Sequence, residues 1–185
     1  MSGHRPNEPP HGYVLIGAAL LHQRVRELGA QIAADYAEKR PILVGVLRGV
    51  VVFLADLLKA TDGLPCEVDF MAISSYGSGS GVVRIEKDLE TSIEGRHVIL
   101  VEDIVDTGLT LRFILRNLEA RRPASLVVCT LLDKQAHRLV PLPIRYTGFA
   151  IGDRFVVGYG LDEKQRYRNL PDIWVIDETA DRSAG

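Results

Sequence analysis

Cysteine is scarce in this 185-residue chain: Cys66 and Cys129 are the only two, and neither stands in a CxxC or Cys/His arrangement. That argues against a disulfide framework or a cysteine-based zinc site, and two buried reduced thiols are expected. The five histidines are scattered without the spacing of metal ligands. Long apolar runs are also missing. The longest apolar region, Ile42 to Leu58, is broken by Arg48 and Asp56, so no membrane span is expected. Met1 to Pro10 is polar and proline-rich and lacks the apolar centre of a secretion signal, so a cytoplasmic location is expected. Basic surplus is absent as well. A formal net charge of −2 offers no global pull on nucleic acid, and no nucleic-acid partner is expected. Neither a Walker A ending of the GKT type nor a GxGxxG run occurs, so two common phosphate-binding loops are ruled out.

The composition, 46% hydrophobic and 25% charged, is that of a globular protein, and the length suits one α/β domain. Residues 1–11 read as a flexible arm, 12–178 as the domain, and 179–185 as a flexible tail. Leu21, Val25, Leu28, Ile32 and Tyr36 recur at spacings of three and four, which predicts an amphipathic helix over Ala18 to Tyr36. Ile42 to Leu47 is a buried strand, and Val50 to Lys59 a helix with Phe53, Leu54, Leu57 and Leu58 on its buried face. Cys66 to Ser74 alternates as a strand and pairs with Val82 to Ile85 across a Gly/Ser-rich loop. That loop is either a hairpin tip or a lid over a ligand. A helix follows Leu111, and Leu126 to Leu132 is a further buried strand. Strands over Arg145 to Ile151, Phe155 to Tyr159 and Ile173 to Asp177 close the chain. Strands alternating with helices imply a mostly parallel sheet flanked by helices, with ligands bound beyond the carboxyl ends of the strands. Three polar clusters stand at such ends: Arg48-Gly49, Glu102 to Thr110, and Asp133-Lys134.

The central cluster is the most informative. Val98 to Val101 are apolar, as in a strand buried on both faces. Glu102, Asp103, Ile104, Val105, Asp106 and Thr107-Gly108-Leu109-Thr110 follow, before a helix. Thr107 or Thr110 is expected to cap that helix, with Gly108 making the tight turn. Free N–H groups and the helix dipole there favour a phosphate. The adjacent acids suit ribose hydroxyls or Mg²⁺, or simply stabilise the helix start.

Residue for residue, Val98 to Leu111 resembles the phosphoribosyl-diphosphate-binding motif of the type I purine phosphoribosyltransferases. Leu47-Arg48-Gly49, Ser74 to Gly77, Leu131 to Lys134, Val156 to Asp162 and Tyr167 to Pro171 extend the resemblance, in order, to the bacterial 6-oxopurine members. It implies the type I phosphoribosyltransferase fold, with a small hood from the N-terminal segment and roughly residues 150–178. It also implies a pentosyltransferase of purine salvage that uses 5-phosphoribosyl 1-diphosphate and Mg²⁺, acts on hypoxanthine or guanine, and forms a homodimer or homotetramer.

The roles implied are these. Glu102 and Asp103 hold the ribose hydroxyls and metal. Asp106 is the general acid/base near purine N7, and Asp106 to Thr110, including Leu109, binds the 5′-phosphate. Arg48, Gly49 and Arg168 take the pyrophosphate, in the family through a cis non-proline peptide. Lys134, Phe155, Val156 and Asp162 surround the purine, with Asp162 also on a second Mg²⁺. Ser75 and Tyr76 belong to a lid. By themselves Arg48 and Lys134 read as solvated strand-end cations, Phe155 as core, and Asp162 to Arg168 as a charged loop. The loop between Tyr76 and Val82 is a few residues shorter than is usual in the bacterial members. Alternatives are a xanthine- or hypoxanthine-restricted enzyme, or a nucleotide-binding regulator of the same fold. The segment Leu132 to Arg138 with Leu142 to Arg145 resembles pyrimidine-operon regulators. Asp106 and the intact Gly158 to Asp162 block oppose that last reading.

Overall fold

Periodicity and burial agree along most of the chain. The computed structural model describes residues 11–76 and 82–176. Its elements are β1 (Gly12–Ile16), α1 (Ala18–Asp35), β2 (Ile42–Leu47), α2 (Val51–Ala60), β3 (Glu67–Tyr76), β4 (Val82–Lys87), β5 (His97–Val105), α3 (Leu109–Glu119), β6 (Ser125–Asp133), β7 (Ile144–Ala150), β8 (Val156–Val157) and β9 (Ile173–Ile176). A short 3-10 turn, Gln135–His137, follows β6. The expected arm, residue 11 excepted, and the expected tail lie outside the described residues, as do residues 177 and 178 and the glycines of the expected lid.

A six-stranded sheet of order β4-β3-β2-β5-β6-β7 forms the centre. Its strands run parallel, except β4, which returns antiparallel at the edge. β2 and the first half of β5 are buried on both faces, as their unbroken Ile/Leu/Val content requires. On one face, α1 and α2 pack Leu21, Leu28, Ile32, Phe53 and Leu57 against Leu43, Ile99 and Val101. On the other, α3 brings Leu111, Ile114, Leu115 and Leu118 against Val44, Val98 and Leu100. Alternate residues of β5 therefore serve opposite cores, and each deeply buried Leu or Ile contributes about 1.5–3 kcal/mol relative to exposure. No helix among the described residues is long and apolar enough to cross a membrane.

A second, three-stranded sheet of order β1-β9-β8 makes the hood. β1 carries no period that announces it, and its first residues are exposed. It exists because Gly12, Tyr13 and Val14 pair with Ile176, Val175 and Trp174 of β9. Side chains anchor the hood to the helices. Asp172 accepts from the Ala18 N–H at 2.7 Å and so supplies α1 with the cap that Gly17 cannot. The Tyr159 hydroxyl donates to Asp56 of α2 at 2.7 Å.

Candidate active site

Because β2, β5 and β6 are parallel and in register, their carboxyl ends stand side by side: Gly45 faces Val101, and Val105 faces Asp133. A cavity of about 350 Å³ opens there. It is lined by Arg48 and Gly49 after β2, by Glu102, Asp103, Asp106, Thr107, Gly108 and Thr110, and by Asp162 and Arg168 from the hood. These candidates, scattered over the sequence, thus meet in one place. Leu109, Lys134, Phe155 and Val156 do not line it. Lys134 nevertheless reaches its rim, with Nζ 3.4 Å from Asp106 Oδ2. Val156 is buried in the hood, and Phe155 just before it is 46% exposed. Ser75 and Tyr76 end β3 and pair through their backbones with Val83 and Val82.

The peptide between Leu47 and Arg48 is cis. Gly49 lies against Asp103 so tightly that a Cβ there would fall 1.7 Å from Oδ2 of that carboxylate. The Gly160 backbone in turn rests on the Gly49 carbonyl, 2.1 Å from where a Gly160 Cβ would stand, and so seats the hood loop on the cavity. Arg168 donates to Gly160 O at 2.7 Å and pairs with Asp162 at 2.7 Å. Both Arg48 (3.5 Å) and Arg168 (3.2 Å) reach the Gln165 side-chain oxygen. Gln165 therefore holds the two guanidiniums together at the mouth.

Helix α3 begins differently from expectation. Gly108, at φ 79°, is its N-cap, and no threonine side chain caps it. Thr107 Oγ1 stands 3.5 Å from the Leu109 N–H, at the limit of a hydrogen bond. The reason is local: the chain must turn through the left-handed region, which β-branched threonine resists and glycine accepts. Leu142 also crowds the position, 2.8 Å from where a Cβ would be. The first-turn N–H groups are thereby left for an anion rather than consumed by a side chain.

Glu102 and Asp103 are half-buried. Burial, then the neighbouring Asp103 charge, pushes the Glu102 carboxyl well above its ordinary range. Burial likewise raises Asp103 to about 6, although the Ile104 N–H and the Arg168 guanidinium draw it down. Such a pair favours a ligand that brings cationic charge or hydrogen-bond donors. Among the described residues, no group of three His, Cys, Asp or Glu side chains is gathered to hold a metal. Glu102, Asp103 and Asp162 are therefore not a single three-ligand cluster. The donors are nonetheless hard carboxylate oxygens, which suit Mg²⁺ bound by one or two carboxylates with the remainder from substrate oxygens.

On the β6 side, the Lys134 N–H donates to Val105 O at 2.9 Å, which sets the lysine beside the end of β5. Lys134 is 8% exposed, an unusual burial for an ammonium. Its neighbour Asp133, at 1% exposed, is gripped by Arg138 through both carboxylate oxygens. Lys134 also lies 3.5 Å from Asp153, and His137 lies 3.4 Å from Asp106 and 3.0 Å from Asp153. Sequence reasoning singled out neither His137, Asp153 nor Gln165 as site residues. Each sits in an unremarkable polar turn, and only the fold brings it to the cavity.

The model of the phosphoribosyl transferase domain matches residues 17–164. The chain belongs to the phosphoribosyltransferase family. This phosphoribosyltransferase is 50% identical over 166 residues to the hypoxanthine phosphoribosyltransferase of Haemophilus influenzae, covering 86% of this chain and 92% of that protein. It is 48% identical over 168 residues to the hypoxanthine-guanine phosphoribosyltransferase of Streptococcus pneumoniae, covering 89% and 93%. In structure it is similar to the hypoxanthine phosphoribosyltransferase of Staphylococcus aureus, with a TM-score of 0.86 at 43% identity over 89% of this chain and 91% of that one. The expected type I phosphoribosyltransferase fold is thus the fold of this phosphoribosyltransferase.

Proposed function

We propose that this phosphoribosyltransferase acts in purine salvage, transferring the 5-phosphoribosyl group from 5-phosphoribosyl 1-diphosphate to hypoxanthine or guanine, with release of pyrophosphate. The observation that carries the reading is the convergence, on one cavity, of an anion-ready helix start, an acid pair and two arginines, with a buried lysine at the rim. The N–H groups of residues 108–110, with the Thr107 and Thr110 hydroxyls, hold the 5′-phosphate. Glu102 and Asp103 accept from the ribose hydroxyls and hold a Mg²⁺ ion, and Asp162 holds a second. When bound, the metal neutralises charge on the departing pyrophosphate. Arg48, Gly49 and Arg168 bind that same group and stabilise the charge it gains as the C1–O bond breaks.

A purine nitrogen forms the new bond to C1. Asp106 takes the proton the base loses at N7, leaving a neutral nucleotide base. Lys134 donates to O6. An ammonium carries three donors and no acceptor, so it matches a carbonyl and mismatches the amino group of adenine. Phe155 stacks on the purine, and the Val156 backbone meets its edge. Ser75 and Tyr76 belong to a lid that excludes water, which would otherwise hydrolyse the activated sugar.

The test incubates the protein with Mg²⁺, 5-phosphoribosyl 1-diphosphate and, separately, hypoxanthine, guanine, xanthine and adenine. IMP and GMP are expected. Turnover of xanthine or hypoxanthine alone would narrow the reading. Nucleotide from none of the four, with specific RNA binding, would replace it by the regulator.

A further inference from the structure

We propose that His137 is the positioning residue for Asp106, holding one carboxylate oxygen so that the other stays aimed at the purine. The inference rests on the phosphoribosyl-transfer reading above. Asp106, Lys134, Asp153 and His137 form a closed ring in which each nitrogen-bearing side chain lies between the two carboxylates. Lys134 Nζ is 3.4 Å from Asp106 Oδ2 and 3.5 Å from Asp153 Oδ1. His137 Nδ1 is 3.4 Å from Asp106 Oδ1, and Nε2 is 3.0 Å from Asp153 Oδ2. Each carboxylate therefore gives one oxygen to the lysine and the other to the histidine.

That division has a consequence when substrate enters. Lys134 must turn from the ring to reach O6 of the base. Its departure frees Asp106 Oδ2, the oxygen next to the arriving N7 proton, while Oδ1 keeps its imidazole partner. Without His137, the carboxylate would lose its remaining hold at the moment it is needed and would face Asp153 with no cation between them.

The imidazole is well fixed for such a task. His137 ends the 3-10 turn Gln135–His137, and its N–H donates to Lys134 O at 2.9 Å. The same turn is anchored at its start by the Lys134 N–H to Val105 O and closed by the Arg138 grip on buried Asp133. One short turn thus sets both the residue that reads O6 and the residue that steadies the proton acceptor. The charged groups facing His137 are Asp106 from the end of β5, Asp153 from the β7–β8 connection, and Lys134 with Arg138 from its own turn.

The experiment compares wild type with His137→Ala and His137→Gln, using kcat and KM for both substrates and thermal melting. His137→Ala should lower kcat about tenfold, as a modest misplacement of a reacting group does, with KM for 5-phosphoribosyl 1-diphosphate changed less than about twofold. His137→Gln restores an N–H donor at the same place, so it should recover most of kcat. A His137→Ala enzyme with wild-type kcat overturns the proposal. So does a parallel loss of both substrate affinities with a lowered melting temperature in both variants, which would make His137 merely structural. In either case wild-type turnover leaves the transferase reading standing, whereas a wild-type protein without turnover removes both.

Discussion

Among the described glycines, Gly49 leaves the least room for a Cβ, against Asp103, which makes Gly49→Ala the most direct probe of the acid pair. The added Cβ would stand 1.7 Å from Oδ2 and 2.9 Å from Cγ of Asp103. Real Cβ contacts do not fall below 3.0 Å, so the carboxylate oxygen must retreat by about 1.3 Å or the Arg48–Gly49 loop must lift by as much. Asp103 Oδ1 is tied to the Ile104 N–H at 2.8 Å, which resists rotation of the carboxylate. A misplacement of about 1 Å at a reacting centre costs about a hundredfold in rate, which corresponds to about 2.7 kcal/mol of transition-state stabilisation. Steady-state nucleotide formation from 5-phosphoribosyl 1-diphosphate and hypoxanthine should therefore show kcat/KM for the sugar reduced about a hundredfold. The melting temperature should change little, because the residues displaced line the cavity rather than the core. A variant with kcat/KM within about threefold of wild type, a difference of only about 0.6 kcal/mol, would show that Asp103 does not act from the position described.

Three further outcomes are expected. Asp106→Ala should lower kcat by about 10²–10⁴, the range for loss of a general acid/base, with far less effect on 5-phosphoribosyl 1-diphosphate binding measured by titration calorimetry; equal losses would contradict its proton role. Lys134→Ala should reduce discrimination against adenine by roughly ten- to a hundredfold, since an unpaired buried donor costs about 1–3 kcal/mol; unchanged base selectivity would refute the O6 assignment. Asp69 accepts from the N–H groups of Phe70, Glu90 and Thr91 at 2.7–2.9 Å. Burial opposes its charge, but those donors and Lys87 outweigh burial and hold the carboxyl below its ordinary range. Its stabilisation is then present above the unfolded value of about 4 and is lost as pH falls through the lower folded value. Asp69→Asn should destabilise by about 1–3 kcal/mol at pH 7, and the gap in melting temperature should close below about pH 4; a gap that stays constant with pH would contradict the charge argument.

Much of the scaffold is legible in local pattern. The spacing of Leu21, Val25, Leu28 and Ile32 marks α1, and the unbroken apolar runs of β2 and β5 mark strands covered on both faces. The stretch Glu102 to Thr110 carries its chemistry in consecutive residues, and so it too can be read locally. What escapes is what depends on distant partners. β1 has no pattern of its own and is held by β9. Helix α1 has glycine at its N-cap position, and its cap comes from Asp172, at the far end of the chain. The threonine cap expected for α3 fails because Leu142 and the left-handed turn reserve that place for Gly108. Gln165, Asp153 and His137 lie in polar turns indistinguishable from solvated loops until the sheet order brings them to the strand ends.

The distribution of charge around β5 also separates the two halves of the proposed reaction. Asp103 belongs to one group, with Gly49, Arg168 and Asp162, and Asp106 belongs to another, with Lys134, His137 and Asp153. Between them, Ile104 packs toward the core beneath α1 and α2, and Val105 into the core beneath α3. Both side chains are thereby anchored, so the spacing of the two acids is set by the rigid end of a central strand. Asp106 stands at the bend just past β5, so the three residues from Asp103 span at most about 10 Å. On the transferase reading, C1 of the ribose lies between these groups, with the departing pyrophosphate on the arginine side and the incoming base on the lysine side. Displacement requires the two on opposite faces of the same carbon. The strand thus serves as the ruler for that geometry, with the cations on either side of it.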